Sequence, residues 1–189
     1  MPDRPPADLR AAAKALLRDW RPPTSVQAAL RDQYVDHLDR HADGLWRHGP
    51  PAHLTASCFV LDPALENVLL CLHGKGRFWV QFGGHLEPGD PTLPAAALRE
   101  AAEESGLTQL TLVGDGPVDL DRHRLSAAFG RCTEHLDVAF AATADPAAAA
   151  TSVSAESDDV AWWPVRALPT GVVPDLPARL DALVSRLGG

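Results

Sequence analysis

The spacing of apolar and polar residues changes character along the chain. Residues 8–20, DLRAAAKALLRDW, read as a short helix opened by Asp8 and closed before Pro22-Pro23. A second helix is expected from Thr24, which stands three residues before Gln27 in a capping-box spacing, to about Arg40. Its apolar positions Val26, Leu30, Tyr34 and Leu38 fall near helical spacing. Asp43-Gly44 reads as a turn, and from His53 the runs become short and rich in strand formers. Strands are expected at 54–61, 68–72, 78–82, 110–113, 118–120, 136–143 and 160–165. The 62–67 segment between the first two reads as a hairpin loop, and the Ala/Ser/Asp tract 144–159 as a mobile loop. Leu176–Leu187, after Pro174, closes the chain as a helix. The pattern is of the α/β class: a mixed sandwich preceded by a helical extension over 1–49, with the main domain over 50–189.

One stretch departs from these plain periods. GGHLEPGDPTLPAAALREAAEESGL, Gly83–Leu107, opens as a glycine-rich turn and continues from about Thr92 to Ser105 as an alanine-rich helix, with Gly106 as its stop. On that helix Glu100, Glu103 and Glu104 stand at i, i+3 and i+4 and project within an arc of about 100°. Like charges at this spacing cost a few tenths of a kcal/mol on a bare helix face. A hard divalent cation reverses the sign, because it takes carboxylate oxygens. Arg99 stands one turn before Glu103, where it can pair with it.

The whole stretch resembles the Nudix box: Gly, five residues, Glu, seven residues, Arg-Glu, an apolar residue, any residue, Glu-Glu, any residue, Gly, an apolar residue. Gly84 supplies the first glycine, and Arg99, Glu100, Ala101, Glu103, Glu104, Gly106 and Leu107 match the second half in order. Asp90 replaces the first glutamate, and eight residues rather than seven separate it from Arg99. The extra residue falls within 91–94, where loop length is tolerated. The resemblance implies an α/β/α sandwich with a mixed sheet, and hydrolysis of a nucleoside diphosphate linked to another moiety X with Mg²⁺ or Mn²⁺. By the same resemblance Glu100, Glu103 and Glu104 bind metal, with the Gly83 carbonyl as an extra ligand. Glu100 or Glu103 is then the base, and Arg99 orients a neighbouring glutamate. Glu156, in ESDDVAWWP, occupies a stretch where relatives place a further metal ligand or base.

Outside the box, His135 and Asp137 share one strand face and are expected to line a substrate pocket. Arg77 is a substrate-side cation, one of a loop-borne supply that includes Lys75, Arg122, His123, Arg124 and Arg131. Trp79, Trp162, Trp163 and Phe82 can stack on a base, though core is the commoner place for such residues. His37 and His41, at i, i+4, have no evident third ligand.

A formal charge of −8 argues against binding a nucleic-acid polymer, which needs a basic face, but leaves a small nucleotide open because metal supplies positive charge locally. Cys58, Cys71 and Cys132 show no CxxC or His-spaced arrangement, so the reading disfavours a zinc site or disulfide framework. No run reaches the length of a membrane span and no signal-peptide core follows the N-terminus, which places the protein in the cytoplasm. The extension can shape substrate access, support a homodimer or simply pack on the domain. Two alternatives stand beside the hydrolase. One is a non-catalytic module of the same fold that senses an ADP-ribose-like nucleotide, and the other an isomerase of prenyl diphosphates, which wants a reactive cysteine.

Overall fold

The computed structural model of the protein describes residues 8–125, 130–147 and 157–188. The helices are α1 (Leu9–Asp19), α2 (Ser25–Arg40), α3 (Leu93–Ser105) and α4 (Leu176–Leu187). The strands are β1 (Ala52–Leu61), β2 (Asn67–His73), β3 (Phe78–Val80), β4 (Phe82–His85), β5 (Thr111–Leu112), β6 (Asp119–Arg124), β7 (Glu134–Thr143) and β8 (Ser157–Pro164). The α/β class and the helical start agree with the sequence reading. The hydrogen-bonded order is β3-β2-β1-β7-β5, with β4 on β1, β6 on β7 and β8 on β2.

The chain folds as two compact units, and β1, β4, α3 and β7 each run from one into the other. The first takes the described residues up to Ala56 together with Gly84–Ala96 and Gly116–Ala139. Here α1 begins at Asp8, whose side chain accepts from the Arg10 amide, and buries Leu9, Ala13 and Leu17. Thr24 caps α2 by accepting from the Gln27 amide, but the Gln27 side chain does not complete the capping box. It bonds β6 instead: Nε2 donates to the Leu120 carbonyl and the Asp119 carboxylate, and Oε1 accepts from the Leu120 amide. The Tyr34 hydroxyl, fully buried, donates to the Asp121 carbonyl at 2.7 Å. α2 thus satisfies a strand edge that would otherwise present open backbone groups.

The second unit takes Ser57–Gly83, Ala97–Asp115 and the described residues from Phe140 onward. Its core is the run Cys58–Leu61 of β1, Val68–Leu70 of β2, Phe82 and Phe140, with Leu176, Leu180 and Leu183 of α4, all at most 1% exposed. β2 carries β3 along one edge (Cys71↔Val80 to His73↔Phe78) and β8 along the other (Asn67↔Pro164 to His73↔Ser157). Arg179 of α4 lies over the Phe59 ring at 5.4 Å.

Several boundaries differ from the sequence reading for identifiable reasons. β6 does not stop at Leu120 but runs to Arg124. Its charged end is paired: Arg122 bonds Glu134 and Gln33, and His123 bonds Asp121. β8 starts at Ser157, inside the tract expected to be a loop, because Asp159 and Ser157 continue the ladder opposite Leu72 and His73. The single strand expected at 78–82 is broken at Gln81, and β4 carries the chain through both glycines to His85.

Candidate active site

Why α3 places its glutamates as it does follows from its alanines. Thr92 caps the helix by accepting from the Ala95 amide, and Gly106 ends it at φ +75°, a conformation that favours glycine. Leu93, Ala96, Ala97, Ala101 and Ser105 are buried, at 1% exposure or less. Glu100 and Glu104 continue the line of Ala96 along one face, one turn apart. They are therefore half-buried, whereas Glu103, off that line, is exposed. Arg99 donates from one Nη1 to Glu100 Oε1 at 3.0 Å and to Glu103 Oε2 at 3.1 Å, so one guanidinium ties two of the three carboxylates. The third, Glu104, accepts from the Gly83 amide at 3.0 Å through Oε2. Helix and strand end are locked together at the position where the box resemblance places its metal.

The residue that departs from the box pattern has a clear local task. Asp90 is 7% exposed, and its Oδ2 accepts from the Glu87 amide at 2.7 Å while its own amide donates to the Glu87 carbonyl at 2.9 Å. With these bonds to Glu87 it acts as a clasp on the turn.

Elsewhere the sequence-derived candidates are scattered in environment. Arg77 has a left-handed backbone at φ +55° and an ion pair with Asp158, both side chains well exposed. Asp137 is 5% exposed and accepts from the Thr55 hydroxyl at 2.8 Å. Glu156 lies outside the described residues. Trp79 is buried, with an edge-to-face contact to Trp163 at 5.4 Å. His37 and His41 have ring centroids 4.7 Å apart. Cavities of about 380 and 420 Å³ lie along α4 and the end of β8, lined by residues such as Val165, Arg166 and Val184 and by none of the box glutamates.

His135 sits in company that the sequence reading did not anticipate. Its ring lies 5.1 Å from that of His85, 5.3 Å from that of His53 and 5.4 Å from that of His123. Cys132 Sγ is 4.0 Å from His85 Nε2. Burial, reinforced by neighbouring imidazoles and Arg47, pushes His135 down to about 3 and His85 to about 4. His53 is lowered too, by burial first. The spacing Cys132-Thr133-Glu134-His135 is a Cys-x-x-His arrangement that the sequence reading missed when it disfavoured a zinc site; the other two residues come from β1 and β4, far away in sequence.

The thiols of Cys58 and Cys71 are both pushed up to about 12, chiefly by burial. Neither is a nucleophile at neutral pH, which removes the sequence basis of the isomerase reading at these two residues.

Residues 51–185 match the family described as NUDIX domain. Among solved structures, a NUDIX-family hydrolase from Clostridium perfringens is similar at a TM-score of 0.60 and 24% identity, over 71% of this chain and 97% of that one. The Ap4A hydrolase of C. elegans, solved as a binary complex, aligns at 0.58 and 19% identity, over 72% and 98%. The NUDIX domain of Shewanella oneidensis NrtR, complexed with ADP ribose, aligns at 0.52 and 18%, over 71% and 87%. No curated protein sequence matches the chain. Among the described residues no helix is long and apolar enough to cross a membrane.

Proposed function

The chain belongs to the Nudix family, and from this premise we propose that it is a hydrolase of that family, a metal-dependent pyrophosphohydrolase. Its proposed substrate is a nucleoside diphosphate linked to a moiety X: a nucleotide sugar, a dinucleotide or a modified nucleoside triphosphate. The observation that carries the reading is the carboxylate face of α3, with Arg99 bridging Glu100 and Glu103 and Gly83 bonded to Glu104.

The donor chemistry fits Mg²⁺ or Mn²⁺, since hard cations take oxygen ligands and this face offers three carboxylates and a neighbouring carbonyl. Glu100, Glu103, Glu104 and the Gly83 carbonyl would hold the ion, with Glu156 as a further proposed ligand. When bound, such an ion neutralises pyrophosphate charge and acidifies a coordinated water. Glu100 or Glu103 takes the proton of the attacking water. Arg99, donating to both, fixes their orientation and offsets their repulsion. Glu104, tethered by the Gly83 amide, holds its position rather than moving a proton.

On the substrate side Arg77 is the proposed phosphate contact. Its pair with Asp158 leaves the side chains 73% and 43% exposed, and such surface pairs are weak enough for a phosphate to displace. Asp137 and His135 are proposed to act there through position, Asp137 by holding β7 to β1 through Thr55. Residues 1–49 are taken as an extension to the 50–189 hydrolase domain. The proposed ligand is a small nucleotide rather than a nucleic acid or membrane. A cytoplasmic setting accords with three free buried thiols.

A second reading, a module that holds an ADP-ribose-like nucleotide without cleaving it, has behind it the ADP-ribose complex of the Shewanella domain and the Asp90 departure. The departure carries little weight, because Asp90 serves the turn through Glu87. A panel of dinucleotides, nucleotide sugars and oxidised nucleoside triphosphates, assayed for nucleoside-monophosphate and phosphate release with and without Mg²⁺, decides. Turnover that needs Mg²⁺ supports the hydrolase; tight binding with no turnover of any member favours the module.

A further inference from the structure

The cluster around His135 has a donor set unlike that of α3. One ligand atom from each of His53, His85, Cys132 and His135 lies within 4.8 Å of all the others. The four come from β1, β4, the segment before β7, and β7 itself. His53 is fully buried and Cys132 is 6% exposed. His53 Nδ1 stands 3.2 Å from the Pro50 carbonyl. A carbonyl only accepts, so Nδ1 carries the proton and Nε2 keeps its lone pair. That Nε2, and the Nε2 of His135, are shut off from solvent and have no hydrogen-bond partner. Buried polar atoms are nearly always satisfied, so two orphaned nitrogens in one cluster are themselves an observation about what the site takes.

We propose that His53, His85, Cys132 and His135 form a closed binding site for a zinc-type transition metal, chemically distinct from the carboxylate face of α3. Imidazole and thiolate suit Zn²⁺ and its neighbours and suit Mg²⁺ poorly. Four protein donors fill a tetrahedral shell and leave no open position, which is the character of a structural site. Zn–N and Zn–S bonds of about 2.0–2.3 Å put tetrahedral donors roughly 3.3–3.8 Å apart, so small side-chain rotations close the present spacing. The Pro50 carbonyl on His53 is the outer hydrogen bond that orients a metal-binding imidazole. His123 is outside the set, because the ligand atoms that lie within 4.8 Å of one another are those of His53, His85, Cys132 and His135. The metal would pin β1, β4 and the start of β7 within the first unit.

The test is a Co²⁺ titration of metal-stripped full-length protein. Expected are the intense visible bands of a tetrahedral site and a sulfur-to-cobalt charge-transfer band, both saturating at one equivalent, and loss of these bands on adding Zn²⁺. Cys132→Ser, which changes one atom, should abolish the charge-transfer band and weaken binding by more than about 100-fold, beyond the loss seen when an outer hydrogen-bond partner is removed. A variant with Glu100→Gln, Glu103→Gln and Glu104→Gln together should keep the bands, so this site and the hydrolytic one fail independently. X-ray absorption at the zinc edge of the wild-type protein, independent of any variant's folding, should count three nitrogens and one sulfur. A weak octahedral cobalt spectrum, a charge-transfer band that survives Cys132→Ser, or a zinc edge without sulfur would overturn the proposal.

Discussion

Replacing Glu104 by Gln separates what that side chain does for the fold from what it does for a cation. In the structure Oε2 accepts from the Gly83 amide at 3.0 Å. A hydrogen bond to a charged acceptor contributes about 1.5–3 kcal/mol and a neutral one about 0.5–1.5, so the amide costs about 1 kcal/mol. Relief of repulsion with Glu100, one turn away, returns about 0.3–0.5. The net loss is roughly 0.5–1 kcal/mol, or about 1–4 °C in Tm for a chain of this size. Sequence reasoning alone, which sees only the repulsion, expects no loss; the bond to Gly83 changes the sign. Glu104→Leu, which strips the Gly83 amide of this partner, should cost more, about 1–3 kcal/mol. Thermal melts with and without saturating Mg²⁺ then read the second role. Wild type should gain stability from Mg²⁺, and Glu104→Gln should lose most of that gain, because a neutral amide oxygen is a poor partner for a hard cation. An equal Mg²⁺ shift in wild type and variant, or none in wild type, refutes the assignment of Glu104 to the metal.

Arg99→Met should lower Tm in metal-free buffer by about 2–8 °C, from one half-buried and one exposed charged contact worth about 1–2 kcal/mol together, and Mg²⁺ should restore part of it. Equal losses with and without Mg²⁺ would make Arg99 purely structural. Tyr34 is the protein's single tyrosine, and burial, followed by the charges of Asp137, Asp121 and Asp119, raises its phenol well above the ordinary range. A raised folded pKa gives stability that is complete below the unfolded value of about 10 and is lost as pH climbs past it. Tyrosinate absorbance should therefore appear only with unfolding above about pH 10, and Tyr34→Phe should blunt the alkaline loss while costing about 1–2 kcal/mol at pH 7; early ionisation in folded protein would contradict this. Cys58 and Cys71 should resist alkylation in the native state and react at full rate in denaturant, followed by mass spectrometry of the labelled peptides; rapid native labelling of either would revive a cysteine-based chemistry.

Local signals were the legible ones. Asp8, Thr24 and Gly106 mark helix ends through bonds or dihedrals confined to a few neighbours, and each stands where the sequence reading put it. The Arg99–Glu103 pair at i, i+4 is equally local. What escaped depends on partners remote in the chain. β6 looks too charged for a strand until Gln33 and Glu134 are placed against Arg122. The Gln27 side chain, read as half of a capping box, goes to β6 because two backbone groups of Leu120 await it there. Cys132 and His135 are a pair in sequence, but His53 and His85 join them only through the strands that carry them, and no spacing announces that.

The clasp at Asp90 has a consequence for how this part of the chain can vary. Its carboxylate and its amide each bond Glu87, so the turn is shut before the chain reaches Pro91. The helix starts afresh at Thr92 with a cap of its own. Between two features that are each complete in themselves, the connecting residues transmit no register. A residue can be gained or lost there as slack in a cord between two knots, while Glu100, Glu103 and Glu104 keep their phase with Ala96 and Ala101. Insertions a few positions later, inside α3, would rotate every glutamate by about 100°. The one-residue difference in spacer length therefore sits where the chain tolerates a change of length, while the helix beyond it tolerates none without turning its glutamates away from Ala96 and Ala101.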